Sequence, residues 1–284
     1  MSNISLNSTI SQNLNSLQAT QQLMNQTEYR LTTGKKVNSA LDDPISYFKS
    51  EEHLQRAGDL QAKKDGMSEA IQTLKAADDG ITAIEELIAS AKSLAQSALK
   101  ADDDDEMDDY ISQYNEILDQ IDDLAGDAGY GGINLLGGAT QTLEVVFDEE
   151  GDSKITLTGF DASCASTGLN LTDATAAAWY SGSEATFDVT ESGVNTMITA
   201  LDDAKDTLRT KAKTMSNQLT MITARQDFTT NLITTLKEGS ASLVNADTNE
   251  ESVNLTTLQT QQQLAINSLS IANSASQAVL SLFS

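Results

Sequence analysis

The sequence predicts a mainly α chain: an elongated rod of long antiparallel coiled-coil helices with a small β-hairpin region at the chain midpoint. Three observations predict it. Apolar residues recur at alternating steps of three and four over most of the chain, the spacing that keeps one helix face against a partner. Pro44 is the single proline in 284 residues, and long helices tolerate little proline. Aromatic residues make up only 5 % of the chain, fewer than a compact globular core generally uses.

The first helix carries the seam Ile10, Leu14, Leu17, Gln21, Met24, Glu28, Leu31, with two polar members. Thr32-Thr33-Gly34 closes it, and Gly34 suits a left-handed cap. A second helix is predicted over 44–100. Asp43 is its N-cap, and Pro44 takes the first helical position, where a missing N–H costs nothing. Its stripe reads Met67, Ile71, Leu74, Asp78, Ile81, Glu85, Ile88, beside a second of Ile84, Leu87, Ala91, Leu94, Ala98. Breaks are expected near Gly58, Gly66 and Gly80. Unbroken, this helix spans about 85 Å.

The acidic run 102–109 favours a helix start, because carboxylates suit the positive end of the dipole. A third helix is predicted over 104–125, with Met107, Tyr110, Tyr114, Ile117, Ile121 and Leu124 on its inner face. Glycine-rich 126–138 ends it. Segments 143–147 and 154–158 read as two strands of a hairpin within 140–160, turning at Glu149-Glu150-Gly151-Asp152. Residues 161–185 are rich in Ser, Thr and Ala and weakly patterned. A long helix over 190–238 follows, holding its seam from Val194 to Leu236 without a slip; Gly239 is expected to stop it. The last helix, from about 252 to 282, has two seams. One is Leu255, Leu258, Gln262, Ala265, Leu269, Ala272, Ser276, Val279, Phe283. The other is Gln261, Leu264, Ser268, Ile271, Ala275, Ala278, Leu282. A single partner helix cannot bury both.

Charge is segregated along the chain. The total is −25, residues 1–40 carry +2, residues 245–284 carry −3, and the middle carries the remaining −24. Such a balance excludes nucleic acid as a partner, which needs clustered Lys and Arg. Nearly uncharged ends suit burial among neighbours, and an acidic middle suits water. No stretch approaches about 18 apolar residues, so no membrane span is expected. The first residues have neither a basic region nor a continuous apolar core, so no cleaved signal peptide is expected.

Residues that could carry chemistry are few. His53 is the one histidine and Cys164 the one cysteine. His53 has no second His or Cys at ligand spacing, so it reads as a packing or surface residue rather than a metal ligand. Cys164 lacks a basic neighbour that would make it a nucleophile. Thr33-Gly34-Lys35-Lys36 lacks the upstream glycine and strand of a phosphate loop. The run 102–109 lacks the spaced ligands and glycine of a calcium loop, so it reads as a solvated face. No catalytic site, cofactor or metal is expected. The ends carry the candidate function. Ile10, Leu14, Leu17, Met24 and Leu31 with Leu255, Leu258, Leu264, Leu269, Ile271, Val279, Leu282 and Phe283 form a candidate self-assembly surface, and heterologous contacts through it would build an open helical polymer.

These motifs resemble those of a known family. The segment 31–44, Leu-Thr-Thr-Gly-Lys-Lys-Val-Asn-Ser-Ala-Leu-Asp-Asp-Pro, resembles the flagellin signature of a helix end followed by Thr-Gly, a basic residue and Asn-Ser-Ala-x-Asp-Asp. Segment 131–136, Gly-Gly-Ile-Asn-Leu-Leu, is similar to the one preceding the flagellin hairpin. Segment 262–273 and the closing 278–283 resemble flagellin's terminal helix. The Thr-Gly-Lys-Lys form is most similar to flagellins of alphaproteobacteria.

The resemblance implies an inner-tube domain from 1–43 and 245–284 and a rod domain over 44–244. It implies an extracellular filament subunit exported without a cleaved signal peptide. The implied partners are the chain itself, the flagellar export apparatus, a flagellin chaperone, the filament cap and the hook–filament junction proteins. It also implies O-linked sugar at the exposed midpoint, where Thr156, Thr158, Ser163, Ser166 and Thr167 are candidates. Two alternatives share parts of the pattern: a hook-associated junction protein, and a soluble two-stranded coiled-coil adaptor, which leaves the double seam unexplained.

Overall fold

A computed structural model describes residues 3–182 and 187–281, with side chains placed outside 3–10, 276 and 279–281. The order is α1 (Asn3–Thr33), α2 (Pro44–Ala98), α3 (Asp104–Asp127), β1 (Thr142–Val146), β2 (Lys154–Thr158), α4 (Ala176–Trp179), β3 (Tyr180–Ser181), β4 (Asp188–Val189), α5 (Glu191–Val244) and α6 (Thr248–Ser281). The fold is mainly α with a small antiparallel hairpin near the midpoint. It divides into two compact units, residues 1–57 with 234–284, and residues 58–233.

In the first unit α1 packs along α6. The pair is antiparallel: Arg30 meets Glu251 at one end and Gln21 meets Gln262 further along. The link between helices is set by short-range polar groups. Gly34 adopts φ +70°, so its carbonyl can accept from Ala246 N–H at 2.9 Å, while Lys36 and Val37 N–H both donate to Val244 O. The Asp42 carboxylate accepts from Asn38 and Ser39 N–H, and Asp43 accepts from Ile45 and Ser46 N–H, capping α2 as its sequence predicts. Backbone donation from Asn38 holds the Asp42 carboxyl below the usual carboxylate range, and the Ser46 hydroxyl does so for Asp43.

In the second unit the middle of α2 and α5 run antiparallel. Lys92 binds Asp202, Glu85 faces Arg209, and Ser68 accepts from Gln226. The core seam of α2 is Met67, Ala70, Leu74, Ala77, Ile81, Ile84, Ile88, Ala91, Ala95 and Ala98. It faces Met107, Tyr114, Leu118 and Ile121 of α3 and Val194, Leu201, Leu208, Met215 and Ile222 of α5, all in one cluster. Asp103 caps α3 by accepting from Glu106 N–H at 2.7 Å. The hairpin pairs Thr142 with Thr158 through Val146 with Lys154. Its turn closes on the Asp148 carboxylate, which accepts from Gly151 and Ser153 N–H.

Four expectations are corrected. Gly239 does not stop α5, which runs to Val244. The seam simply continues through Ser240 and Val244, both buried, and the Ser240 and Ser50 hydroxyls meet at 2.8 Å. Packing outweighs the roughly 1 kcal/mol that a helical glycine costs. Gly58, Gly66 and Gly80 do not break α2, for the same reason. At six seam positions a neighbour replaces the predicted residue: Ala77 is buried rather than Asp78, Ala95 rather than Leu94, Thr27 rather than Glu28, Ala204 rather than Lys205, Ala125 rather than Leu124, and Leu118 rather than Ile117. Finally, 161–182 is not a peripheral loop. It sends Ala162, Cys164, Leu169, Leu171, Ala174 and Trp179 into the core. Asn115 of α3 fixes it by donating to Ala174 O and accepting from Ala174 N–H.

Gly80 is needed for close approach rather than for bending. A Cβ there would sit 2.7 Å from Ala128 Cβ and 2.9 Å from Leu136 Cδ1, whereas Gly58 and Gly66 have nothing within 4 Å. Gly58→Ala and Gly66→Ala are each expected to raise stability by about 0.5–1 kcal/mol. Gly80→Ala is expected to lower it by about 1–3 kcal/mol despite the same propensity gain. Thermal melts followed by far-UV circular dichroism read all three, and a Gly80→Ala melt at or above that of Gly58→Ala contradicts the packing account.

Candidate functional site

The terminal pair divides the candidate surface residues into three groups. Leu17, Met24 and Leu31 of α1 are half-buried, and so are Leu255, Leu258 and Leu269 of α6. These form the seam between the two helices. Leu14, Leu264 and Ile271 are exposed. The side chains of Ile10 and Val279 are not placed, and Leu282 and Phe283 lie outside the described residues. Thus α1 covers one seam of α6 and leaves the other open. Leu264 is 61 % and Ile271 70 % exposed, although α6 has residues of the covered seam between them.

Four exposed apolar residues of this pair were not in the predicted set: Leu23, Tyr29, Val253 and Ile266. They sit off both heptad seams. A periodicity search finds what a partner helix covers, and exposure alone reveals these.

Polar groups fix the register of the pair. Arg30 Nη1 donates to Glu251 Oε1 at 3.2 Å, and Glu251 is otherwise buried. Gln262 Nε2 donates to Gln21 Oε1 at 2.5 Å inside the seam. A groove of ≈ 320 Å³ runs beside the Arg30–Glu251 contact, lined by Leu23, Thr27, Arg30, Glu251, Leu258 and others.

The remaining candidates are placed as follows. Thr156, Thr158 and Ser166 are exposed. The Ser163 and Thr167 hydroxyls both donate to the Asp161 carboxylate at 2.6 Å. That bonding holds the Asp161 carboxyl low, with Ser163 the larger cause. Cys164 is buried; its N–H donates to Asp122 Oδ1 and its Sγ donates to Leu118 O. Burial, with the Asp122 charge second, pushes the thiol well above its ordinary value. His53 is half-buried, its ring next to Gly239. Among the described residues no three His, Cys, Asp or Glu side chains are grouped to hold a metal, and no helix is long and apolar enough to cross a membrane.

What this arrangement offers is surface, and comparison with known proteins agrees. The family described as "Bacterial flagellin N-terminal helical region" matches residues 4–141, and "Bacterial flagellin C-terminal helical region" matches residues 192–283. Flagellin FljM of Caulobacter vibrioides is 30 % identical over 276 residues, covering 96 % of this chain and 94 % of that one. A flagellin of Brucella melitensis is 29 % identical over 290 residues, covering 100 % and 99 %. The crystal structure of Bacillus cereus flagellin aligns with a TM-score of 0.45 at 22 % identity, over 58 % of this chain and 88 % of that one. The chain belongs to the bacterial flagellin family. It is a structural subunit of the flagellar filament, the extracellular helical polymer that drives swimming, and no match favours the hook-associated alternative.

The state of Cys164 can be checked directly. A buried, neutral thiol is a poor nucleophile. In the native monomer at pH 8 it is expected to resist a thiol reagent such as an aromatic disulfide, and to react fully once denaturant unfolds the chain. Rapid native labelling contradicts this placement.

Proposed function

We propose that residues 1–43 and 245–284 form the inner-tube domain of the filament and residues 44–244 its rod domain. The observation that carries this reading is the half-covered state of α6. Its Leu255, Leu258 and Leu269 seam lies against α1, while Leu264 and Ile271 stand open. An apolar helix face left open in one copy is covered at low cost by further copies. In this reading Leu17, Met24 and Leu31 hold the pair together, and Leu14, Leu264 and Ile271 reach neighbouring subunits. Ile10, Val279, Leu282 and Phe283 extend the same surface on the sequence pattern alone.

Before assembly the open face needs protection, which fits a chaperone and the export apparatus as partners. The ends of the filament fit the cap and the junction proteins. Export without a cleaved signal peptide completes this reading. Thr156, Thr158 and Ser166 are exposed and are the better positions for O-linked sugar, since the Ser163 and Thr167 hydroxyls are already bonded to Asp161.

Deleting residues 264–284 removes Leu264 and Ile271 of the open seam and keeps the Arg30–Glu251 and Gln21–Gln262 contacts with α1. The truncated chain is expected to remain folded and soluble and not to polymerise, as read by sedimentation and electron microscopy. Filaments from that truncation would rule out the inner-tube assignment.

Assembly is also expected to depend on salt. The middle of the chain carries −24, so packing copies side by side brings like charges together. At about 0.15 M salt the Debye length is roughly 8 Å, which weakens that repulsion. The critical concentration is expected to fall as ionic strength rises to this value; a flat or rising curve contradicts the repulsion account.

A further inference from the structure

Among the described residues, two apolar surfaces stand out apart from the terminal helices. The first lies in the unit of residues 1–57 and 234–284. Leu41, Ile45 and Phe48 are 96 %, 79 % and 63 % exposed. Ile45 and Phe48 share a helix face with the exposed Glu52, at spacings of three and four. The local fold does not call for these residues. Asp43 supplies the cap and Ser50 the inward contact.

The second surface lies in the unit of residues 58–233. A groove of ≈ 430 Å³ is lined by Phe147, Lys154, Ile155, Met221, Ala224 and Arg225. Met221 is exposed, and Phe228, one heptad further on the same face of α5, is exposed too. The Arg225 guanidinium lies 5.4 Å from the Phe147 ring centroid, so a cation stands at the edge of the groove. Lys154 is at the same edge and binds Glu144 at 2.9 Å.

Resting on the reading that this chain polymerises with itself, we infer that the Leu41, Ile45 and Phe48 knob of one copy seats in the Phe147, Ile155 and Met221 groove of another. Three observations choose a second copy as the occupant. The filament is built from copies of this chain, so surfaces within its wall meet other copies. Neither patch is covered in the single chain. Glu52 lies on the knob face, with Lys49 at its edge, and Arg225 lies beside the groove, so this pairing brings Glu52 and Arg225 together as opposite charges. Because the two patches differ, the contact is heterologous and does not close on itself, as an open polymer requires.

Cysteine cross-linking tests the contact, since the native Cys164 is buried. A Phe48→Cys chain and a Met221→Cys chain are both doped as minorities into parent chain, so filaments form whatever each variant does alone. After assembly and mild oxidation, a non-reducing gel is expected to show a covalent dimer from the mixture and none when either variant is doped alone. No dimer from the mixture overturns the contact, and so does an equal yield from one variant alone. A parent chain that forms no filament overturns the filament reading itself, and this contact with it.

A charge exchange provides the second readout. Arg225→Glu and Glu52→Arg are each expected to raise the critical concentration about tenfold, and the combined variant to return close to the parent. Single variants that assemble like the parent, or a combined variant no better than either, overturn the pairing. Far-UV circular dichroism confirms that each chain is folded.

Discussion

A helix of 54 residues such as α5 needs one face covered along its whole length, because helix propensity alone does not hold it in water. Its seam meets that need from Val194 through Leu201, Leu208, Met215, Ile222, Thr229, Ile233, Leu236 and Ser240 to Val244, every one of them buried. Much else answers to this seam. The middle of α2 supplies alanines to the same buried cluster. Gly80 makes room for Ala128 and Leu136. The hairpin and the segment around Trp179 fill what two helices cannot. Trp179 stacks edge-on against Tyr114 at 5.2 Å and points its indole N–H at the Met197 sulfur. Burial raises the Tyr114 hydroxyl to about 12, so this contact is not disturbed by any ordinary change of pH.

The same constraint explains how charge is distributed. Carboxylates occupy the outer faces of α3, where none takes part in an ion pair among the described residues. Exposed, well-hydrated charges of this kind contribute little to the fold and keep the monomer dispersed. At the ends the opposite holds: few charges, and apolar side chains that stay open after α1 and α6 have paired. Charge is thus concentrated in the middle of the chain and open apolar surface at its ends, which in the proposed filament keeps the two properties on separate surfaces.

The seams were legible because burial on a long helix has a period. That is why the heptads from Val194 to Leu236, the Asp43 cap and the β1–β2 hairpin could be read directly. Period reading misplaced members mostly where a small residue sat beside a larger or charged one, and once where Leu118 took the place of Ile117. Ala77, Ala95 and Thr27 are weak in any hydrophobic count, yet they are the residues that are buried. Gly239 was read by its propensity, and the packed Ser240 and Val244 that follow it in α5 overrode it. The segment 161–182 was illegible for a different reason. Its buried residues reach the core from turns, with no repeat between Ala162, Cys164, Leu169 and Leu171. Tertiary contacts alone, such as Asn115 with Ala174, fix where each one goes. The open face of α6 was legible as a second seam, but which seam α1 covers depends on three-dimensional packing.

Gln21 and Gln262 show why an imperfect seam can serve a polymer better than a perfect one. In a two-helix pair of uncharged residues, sliding by one heptad costs little, since leucine meets leucine again. A glutamine inside the seam removes that freedom, because only one register lets Gln262 donate to Gln21. The Arg30–Glu251 pair reinforces the same register at the end of the contact, where a slip would strand the buried Glu251 without its cation. Each device trades some stability for a defined alignment. For an isolated helix pair that exchange gains little. For a subunit whose open face repeats along a filament it decides the outcome, since an error of one heptad would be about 10 Å at 1.5 Å per residue. In the proposed inner tube such an error would displace Leu264 and Ile271 from the neighbours they are proposed to reach. The polar interruptions that weaken the coiled-coil signal in the sequence are therefore the residues that make the apolar surface reproducible from copy to copy.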